Sequence, residues 1–156
     1  MSRRALVAGI GNVFLGDDGF GVEVAARLSS APLPEGVRVL DAGIRARDLA
    51  YELVGGGYET AILVDAVSRG GAPGTVYVIE PDAASIDRAA STAVADGHAM
   101  NPESTLVLVR ALGGMPTRVL IVGCEPASLE EGIGLSEPVA AAVDEAIGAV
   151  RELLCV

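Results

Sequence analysis

Three carboxylates and one imidazole have the types and spacing in this 156-residue chain to do chemistry together: Asp18, Asp41, Asp65 and His98. Asp18 closes a glycine-rich segment, Gly9-Ile10-Gly11-Asn12-Val13-Phe14-Leu15-Gly16-Asp17-Asp18-Gly19-Phe20-Gly21. Asp41 opens Asp41-Ala42-Gly43. Asp65 ends an apolar run over residues 61–64, and His98 is the sole histidine. Two carboxylates and an imidazole without a thiolate are a hard-to-borderline donor set, suited to Zn²⁺, Ni²⁺ or a similar ion with open positions. Three protein ligands leave room for water or a substrate group, which suits hydrolysis.

Each of these residues also has a plainer reading. Asp17 and Asp18 stand where a loop becomes a helix, and an Asp there caps free N–H groups. One cap suffices, so Asp17 is read as the cap and Asp18 as free to point elsewhere. Asp65, ending an apolar strand, is expected to be partly buried and to need a partner or a cation. Asp41 can serve a turn with Gly43. Gly9-x-Gly11 after a strand, with Asp41 downstream, also invites a dinucleotide-binding reading. The third glycine of that fingerprint is replaced by Phe14, and two carboxylates at the helix start oppose a phosphate. Glu125, beside Pro126, reads as a loop-orienting residue. Cys124, after an apolar run, reads as a core thiol.

The elements that must position these groups alternate. Residues 5–10 form a continuous apolar run, as a parallel strand buried on both faces does. Apolar positions 20, 24, 25 and 28 define one helical stripe. Further strands are expected over 37–40, 61–64 and 118–122, and helices over 45–54, 101–112 and 136–154. Asn101-Pro102-Glu103 and Ser136-Glu137-Pro138 supply helix starts. Between Asp65 and Thr75 there are too few residues for a helical crossover, so the strand over 75–80 must run antiparallel at an edge. Residues 81–100 are a long polar connection with a weak helical turn over 83–90. A connection of that length in a compact domain is usually functional, and it carries His98. The expectation is a single domain over 1–156: an α/β three-layer sandwich with a mostly parallel five-stranded sheet and an antiparallel fourth strand. Ligands in such sheets sit outside the carboxyl ends of the strands. Asn12, Asp41, Asp65 and Glu125 are expected just past those ends.

Composition narrows the function. All eleven basic residues are Arg, and the net charge is −10. Phosphate contacts need a basic face, so nucleic acid is not the expected partner. Without Lys there is neither a Schiff base nor a Walker-type phosphate loop. Without Gly-x-Ser-x-Gly there is no nucleophile elbow. Two cysteines make no disulfide framework, which fits a reducing cytoplasmic setting. Ser2-Arg3-Arg4 superficially suggests an export signal, but Gly11-Asn12 interrupts the apolar run behind it. No run approaches a membrane helix.

In order along the chain, Gly9-Ile10-Gly11-Asn12 with Asp17-Asp18-Gly19-x-Gly21, Asp41-Ala42-Gly43, Val64-Asp65-Ala66, His98 before a helix, Val122-Gly123-x-x-Pro126 and Gly132-Ile133-Gly134-Leu135-Ser136 resemble the hydrogenase maturation endopeptidases. The resemblance implies an aspartyl-type endopeptidase that removes a C-terminal extension from the large-subunit precursor of a nickel–iron hydrogenase after nickel insertion. It implies metal contacts from Asp18, Asp65 and His98, a further acid at Asp41, and a supporting loop of Gly9, Gly11, Asn12 and Gly19. The nickel is expected to come with the substrate, with zinc possible at the same site. The alternative is a non-catalytic α/β module that binds a metal or a partner.

Overall fold

Five runs rich in Val, Leu, Ile and Ala pair into a sheet: β1 (Ala5–Ile10), β2 (Val37–Gly43), β3 (Thr60–Ala66), β4 (Val76–Ile79) and β5 (Arg118–Cys124), in the order β2-β1-β3-β5-β4. The computed structural model describes residues 4–82, 84, 86–87 and 102–155. His98, Asn101 and most of the long polar connection lie outside the described residues. Strands β2, β1, β3 and β5 are parallel, and β4 runs antiparallel to β5 at the edge, as the short link before it requires.

Alternation along the central strands sorts the core into two layers. Leu6, Ala8, Ile10, Leu63 and Ile121 face α2 (Ala46–Gly55) and α3 (Pro102–Ala111), meeting Leu49, Leu53, Leu106 and Val109. Val7, Ile62, Val64, Leu120 and Val122 face α1 (Phe20–Ser29) and α4 (Glu137–Leu154), meeting Phe20, Val24, Leu28, Val139 and Val143. Both faces of β1, β3 and β5 are thus covered, which is why their sequences read as unbroken apolar runs. Each fully buried Leu or Phe contributes about 1.5–3 kcal/mol.

The strand order reverses at β1. The chain leaves β1 through α1 to reach β2 on one side, then returns through α2 on the opposite face to reach β3 on the other side. Right-handed crossovers to opposite sides require helices on opposite faces. The crevice between the carboxyl ends of β1 and β3 is therefore the topological switch point, where open α/β sheets bind ligands.

Three strands run past their expected ends; β5 continues to Cys124 instead of stopping at residue 122. β2 and β3 continue through Asp41 and Asp65 instead of stopping before them. The ladder carries them: Gly9 pairs with Asp41, and Asp65 with Gly123. The expected turn over 83–90 falls mostly outside the described residues, though the Ile86 N–H donates to the Asp82 carbonyl at 3.1 Å and Ile86 is buried.

Candidate active site

The glycine-rich segment after β1 folds back on itself to deliver Asp18 to the switch-point crevice. Gly11 has a φ of 142°, and a Cβ there would lie 1.8 Å from the Asp18 carbonyl oxygen and 3.4 Å from Asp65 Oδ1. Only glycine lets the loop pass between the two acids. Behind it, a Cβ on Gly21 would lie 2.0 Å from the Val64 carbonyl oxygen, so α1 can start directly against the end of β3. Gly9 makes the same close approach from β1, with a Cβ position 2.2 Å from the Gly21 carbonyl oxygen. Gly19 is buried at the N-cap of α1.

Asp18 and Asp65 converge in this crevice. Asp18 Oδ2 accepts the Asn12 N–H at 2.8 Å, which ties the acid to the loop. Asp65 is 2% exposed, and its Oδ1 accepts the Ala66 N–H at 2.8 Å, its one hydrogen bond among the described residues. Burial pushes the Asp65 carboxyl well above the usual carboxylate range. The Asp18 charge pushes it further, the Ala66 N–H opposes the shift, and Glu103 on the first turn of α3 adds to it. Two like charges this close do not both ionise cheaply, so Asp65 holds its proton to higher pH than a free carboxyl does. From sequence, Glu103 is expected only as part of a helix start. Its electrostatic reach to Asp65 depends on α3 packing against β3, which no local pattern reveals.

Asp17 overturns its expected role. It is not the cap of α1: Gly19 occupies that position, and Asp17 lies inside the short 3₁₀ turn Gly16–Gly19. Its side chain reaches across the fold. Oδ2 accepts the Ala127 N–H at 2.8 Å, the Ser128 N–H at 3.0 Å and the Ser136 hydroxyl at 2.8 Å, and Oδ1 accepts the Ser136 N–H at 2.7 Å. Burial pushes its carboxyl up, but the donors of Ser136, Ser128 and Ala127 outweigh that and hold it below the usual carboxylate range. Asp17 thus anchors the segment between β5 and α4.

Asp41 is exposed on the wall of a groove of about 320 Å³ that shares Gly11 and Asn12 with the acidic crevice. Its carbonyl accepts from the Arg45 guanidinium. Glu125 orients a loop, as expected: Oε1 accepts the Arg69 N–H at 2.8 Å, the Gly71 N–H at 3.0 Å and the Tyr77 hydroxyl at 2.8 Å, fixing the link from β3 to β4. Cys124 is buried, and burial, with the charges of Asp17, Glu145 and Glu125, pushes its thiol up to about 11. Such a thiol disfavours the thiolate that a nucleophile needs at neutral pH.

The loop is no phosphate cradle. The N–H groups of Gly11, Asn12, Phe14, Leu15, Gly16, Asp17 and Asp18 all donate within the chain, to Gly43, Asp18, Asn12, Asn12, Gly132, Ser128 and Leu15 respectively. A dinucleotide site needs those donors free. No cluster of three metal-binding side chains occurs among the described residues, which do not include His98. No helix among them is long and apolar enough to cross a membrane.

Solved structures with a similar fold include hydrogenase maturation peptidases. A hydrogenase 2 maturation peptidase from Thaumarchaeota archaeon SCGC_AB-539-E09 superposes with a TM-score of 0.72 at 36% identity, covering 97% of this chain and 98% of that one. The hydrogenase maturating endopeptidase HybD from Escherichia coli gives a TM-score of 0.77 at 29% identity, covering 97% and 91%. Among curated relatives, the hydrogenase expression/formation protein HupD of Rhodobacter capsulatus is 36% identical over 97% of this chain and 71% of its own length. The hydrogenase 2 maturation protease of Escherichia coli is 32% identical over 96% and 92%. The hydrogenase maturation protease family model matches residues 22–153. The chain belongs to that family: it is a hydrolase, an endopeptidase of hydrogenase maturation. The non-catalytic module is thereby set aside.

Proposed function

We propose that this protein removes a C-terminal extension from the large-subunit precursor of a nickel–iron hydrogenase, and that it uses the nickel already seated in the precursor as its recognition element. The observation that carries this reading is the convergence of Asp18 and Asp65 at the switch-point crevice, with Asp65 buried among like charges and accepting one hydrogen bond among the described residues. Such a pair is at rest only when a proton or a cation compensates it. Nickel presented by the substrate supplies that cation. Asp18, Asp65 and His98 complete its coordination, and loading of the precursor thereby becomes the condition for productive binding. Water attacks the scissile carbonyl and gives a proton to a rim carboxylate, for which Asp41 on the open groove wall is the assigned base; that proton passes to the amide nitrogen as the C–N bond breaks, leaving a new carboxyl terminus and the released peptide. Zinc fits the same donor set and is the competitor to test.

The direct test is mass spectrometry of precursor incubated with the purified protein. Nickel-loaded precursor is expected to lose a C-terminal peptide, and nickel-free precursor to remain intact. Equal processing of both overturns the recognition role of nickel. Processing restored by zinc loading in place of nickel shows that the site reads charge and geometry and not the element.

A further inference from the structure

The apolar surface beside the crevice is built for an occupant. Phe14 is 63% exposed, Ile44 63% and Ile133 80%, and all three project from loops at the carboxyl rim of the sheet. They are not scattered. Phe14 lies between two hollows. One, of about 320 Å³, has Val13, Val22 and Ile44 on its walls. The other, of about 410 Å³, has Leu15, Glu131 and Ile133. Both hollows include Asn12, whose N–H is bound to Asp18, and the first includes Gly11, which adjoins Asp65.

This surface stands on a fixed frame. The Gly132 N–H donates to the Phe14 carbonyl at 2.9 Å, and the Gly16 N–H donates to the Gly132 carbonyl at 2.8 Å. Leu15 and Gly132 form a parallel bridge, and the same segment is clasped at both ends by Asp17, through Ala127 and Ser128 on one side and Ser136 on the other. Exposed apolar side chains on ordered backbone are poorly explained as fold-stabilising residues, since they bury little. They suit an interface, because little loop entropy is lost when it forms.

Resting on the functional reading above, we infer that the Phe14 ridge with its two hollows is the docking groove for the precursor segment that flanks the scissile bond. An extended segment straddling Phe14 places one apolar side chain against Val13 and Ile44 and another against Ile133. Its backbone then passes over Gly11 and Asn12 to the Asp18 and Asp65 carboxylates. The exposed acids on the same rim, Asp41, Glu130 and Glu131, favour basic residues around those apolar anchors, as does the net charge of −10. Phe14 and Ile133 are therefore specificity determinants that touch substrate away from the reacting bond.

The test compares wild type with Phe14→Ala, Ile133→Ser and the double variant, using nickel-loaded precursor and steady-state kinetics. KM is expected to rise about tenfold for each single variant while kcat stays within about twofold, since a truncated interface anchor typically costs on the order of 1–2 kcal/mol. Because both side chains are mostly exposed, melting temperatures are expected to match wild type, and a variant that melts early is replaced by Phe14→Leu or Ile133→Thr. A benzophenone side chain installed by Ile133→benzoylphenylalanine is expected to cross-link to the C-terminal segment of the precursor. Wild-type processing with unchanged KM in the variants overturns the groove but leaves the function intact. A wild type that leaves loaded precursor uncut overturns the function itself, and the groove with it. Cross-linking to a second copy of this chain, with a dimer that Ile133→Ser dissociates, overturns the groove by making this face a self-interface.

Discussion

Asp17 and Asp18 are neighbours in sequence and occupy opposite electrostatic situations. Asp17 is 1% exposed and receives four hydrogen bonds from residues more than a hundred positions away, so its charge is compensated by the fold. Asp18 turns instead toward Asp65, whose carboxyl the Asp18 charge pushes up, with Glu103 adding a third negative charge. On one side of the 3₁₀ turn an anion is satisfied by donors. On the other, each anion accepts a single hydrogen bond among the described residues. The first arrangement stabilises the chain; the second carries a cost that the fold leaves uncompensated, as functional sites do. The difference separates Asp17, an acid satisfied by the fold, from Asp18, an acid of the candidate site.

The sharpest way to break this comparison is Asp65→Asn. Asparagine keeps the shape and can still accept the Ala66 N–H, but it cannot carry the charge. Processing of nickel-loaded precursor is expected to fall on the order of 10³-fold. Stability is expected to move the other way. The folded carboxyl of Asp65 lies above its unfolded value, so the stability it contributes is present below the unfolded value and is lost as pH rises through the folded one. The variant should therefore melt at a higher temperature than wild type at pH 7, and the gain should shrink toward pH 4. Calorimetry across that range reads it. A variant that is both inactive and destabilised would make Asp65 a structural acid like Asp17.

Asp17→Ala tests the other side. It removes one charged acceptor from four donors at once, three of them the backbone N–H groups of 127, 128 and 136. A loss of about 3 kcal/mol in urea unfolding is expected. Here the folded carboxyl lies below its unfolded value. Its stabilising effect is present above the unfolded value, near pH 4, and is lost as pH falls through the folded one. Wild type and variant should thus converge in strong acid, the mirror image of Asp65→Asn.

What could be read in advance follows from where each signal resides. Residues 5–10 showed a buried parallel strand because both faces of β1 are covered and no polar residue interrupts the run. The antiparallel β4 followed from chain length alone, since the nine residues 66–74 are too few for a crossover. The switch point was legible as a rule about strand ends, and Asp18 and Asp65 do meet there. Asp17 was misread because its partners at 127, 128 and 136 become neighbours only when β5 and α4 are in place. Glu103 was missed for the same reason: at the first turn of a helix an acid always has a sufficient local explanation. Sequence shows what a residue does for its own element, and folding shows what it does for a distant one.

A smaller effect sharpens the account of Glu103. Glu103→Gln leaves the fold of α3 intact, since Gln is a comparable helix former. It removes the weaker of the two charges that push Asp65 up, after Asp18. The acidic limb of the processing rate against pH is then expected to move to lower pH, with the plateau rate changed by no more than a few-fold. An unmoved limb would show that Glu103 lies outside the electrostatic field of the crevice.

The smallest effect reports on the Asp17 side without touching it chemically. Cys124 is buried, with its thiol pushed up to about 11, whereas Cys155 is exposed. At pH 8 a thiol reagent is expected to modify Cys155 promptly and Cys124 only through opening of the fold. Desolvation dominates the Cys124 shift, and the Asp17 charge is the next contribution. Asp17→Ala removes that charge and also loosens the 127–136 segment that follows β5. Both changes act in one direction, so Cys124 should be modified faster in the variant while Cys155 keeps its wild-type rate. Peptide mass mapping of the two cysteines over time separates them. Acceleration at Cys124 in Asp65→Asn, where the Asp17 clasp is intact, would mean that the two regions are one cooperative unit and that satisfied and unsatisfied acids cannot be varied independently.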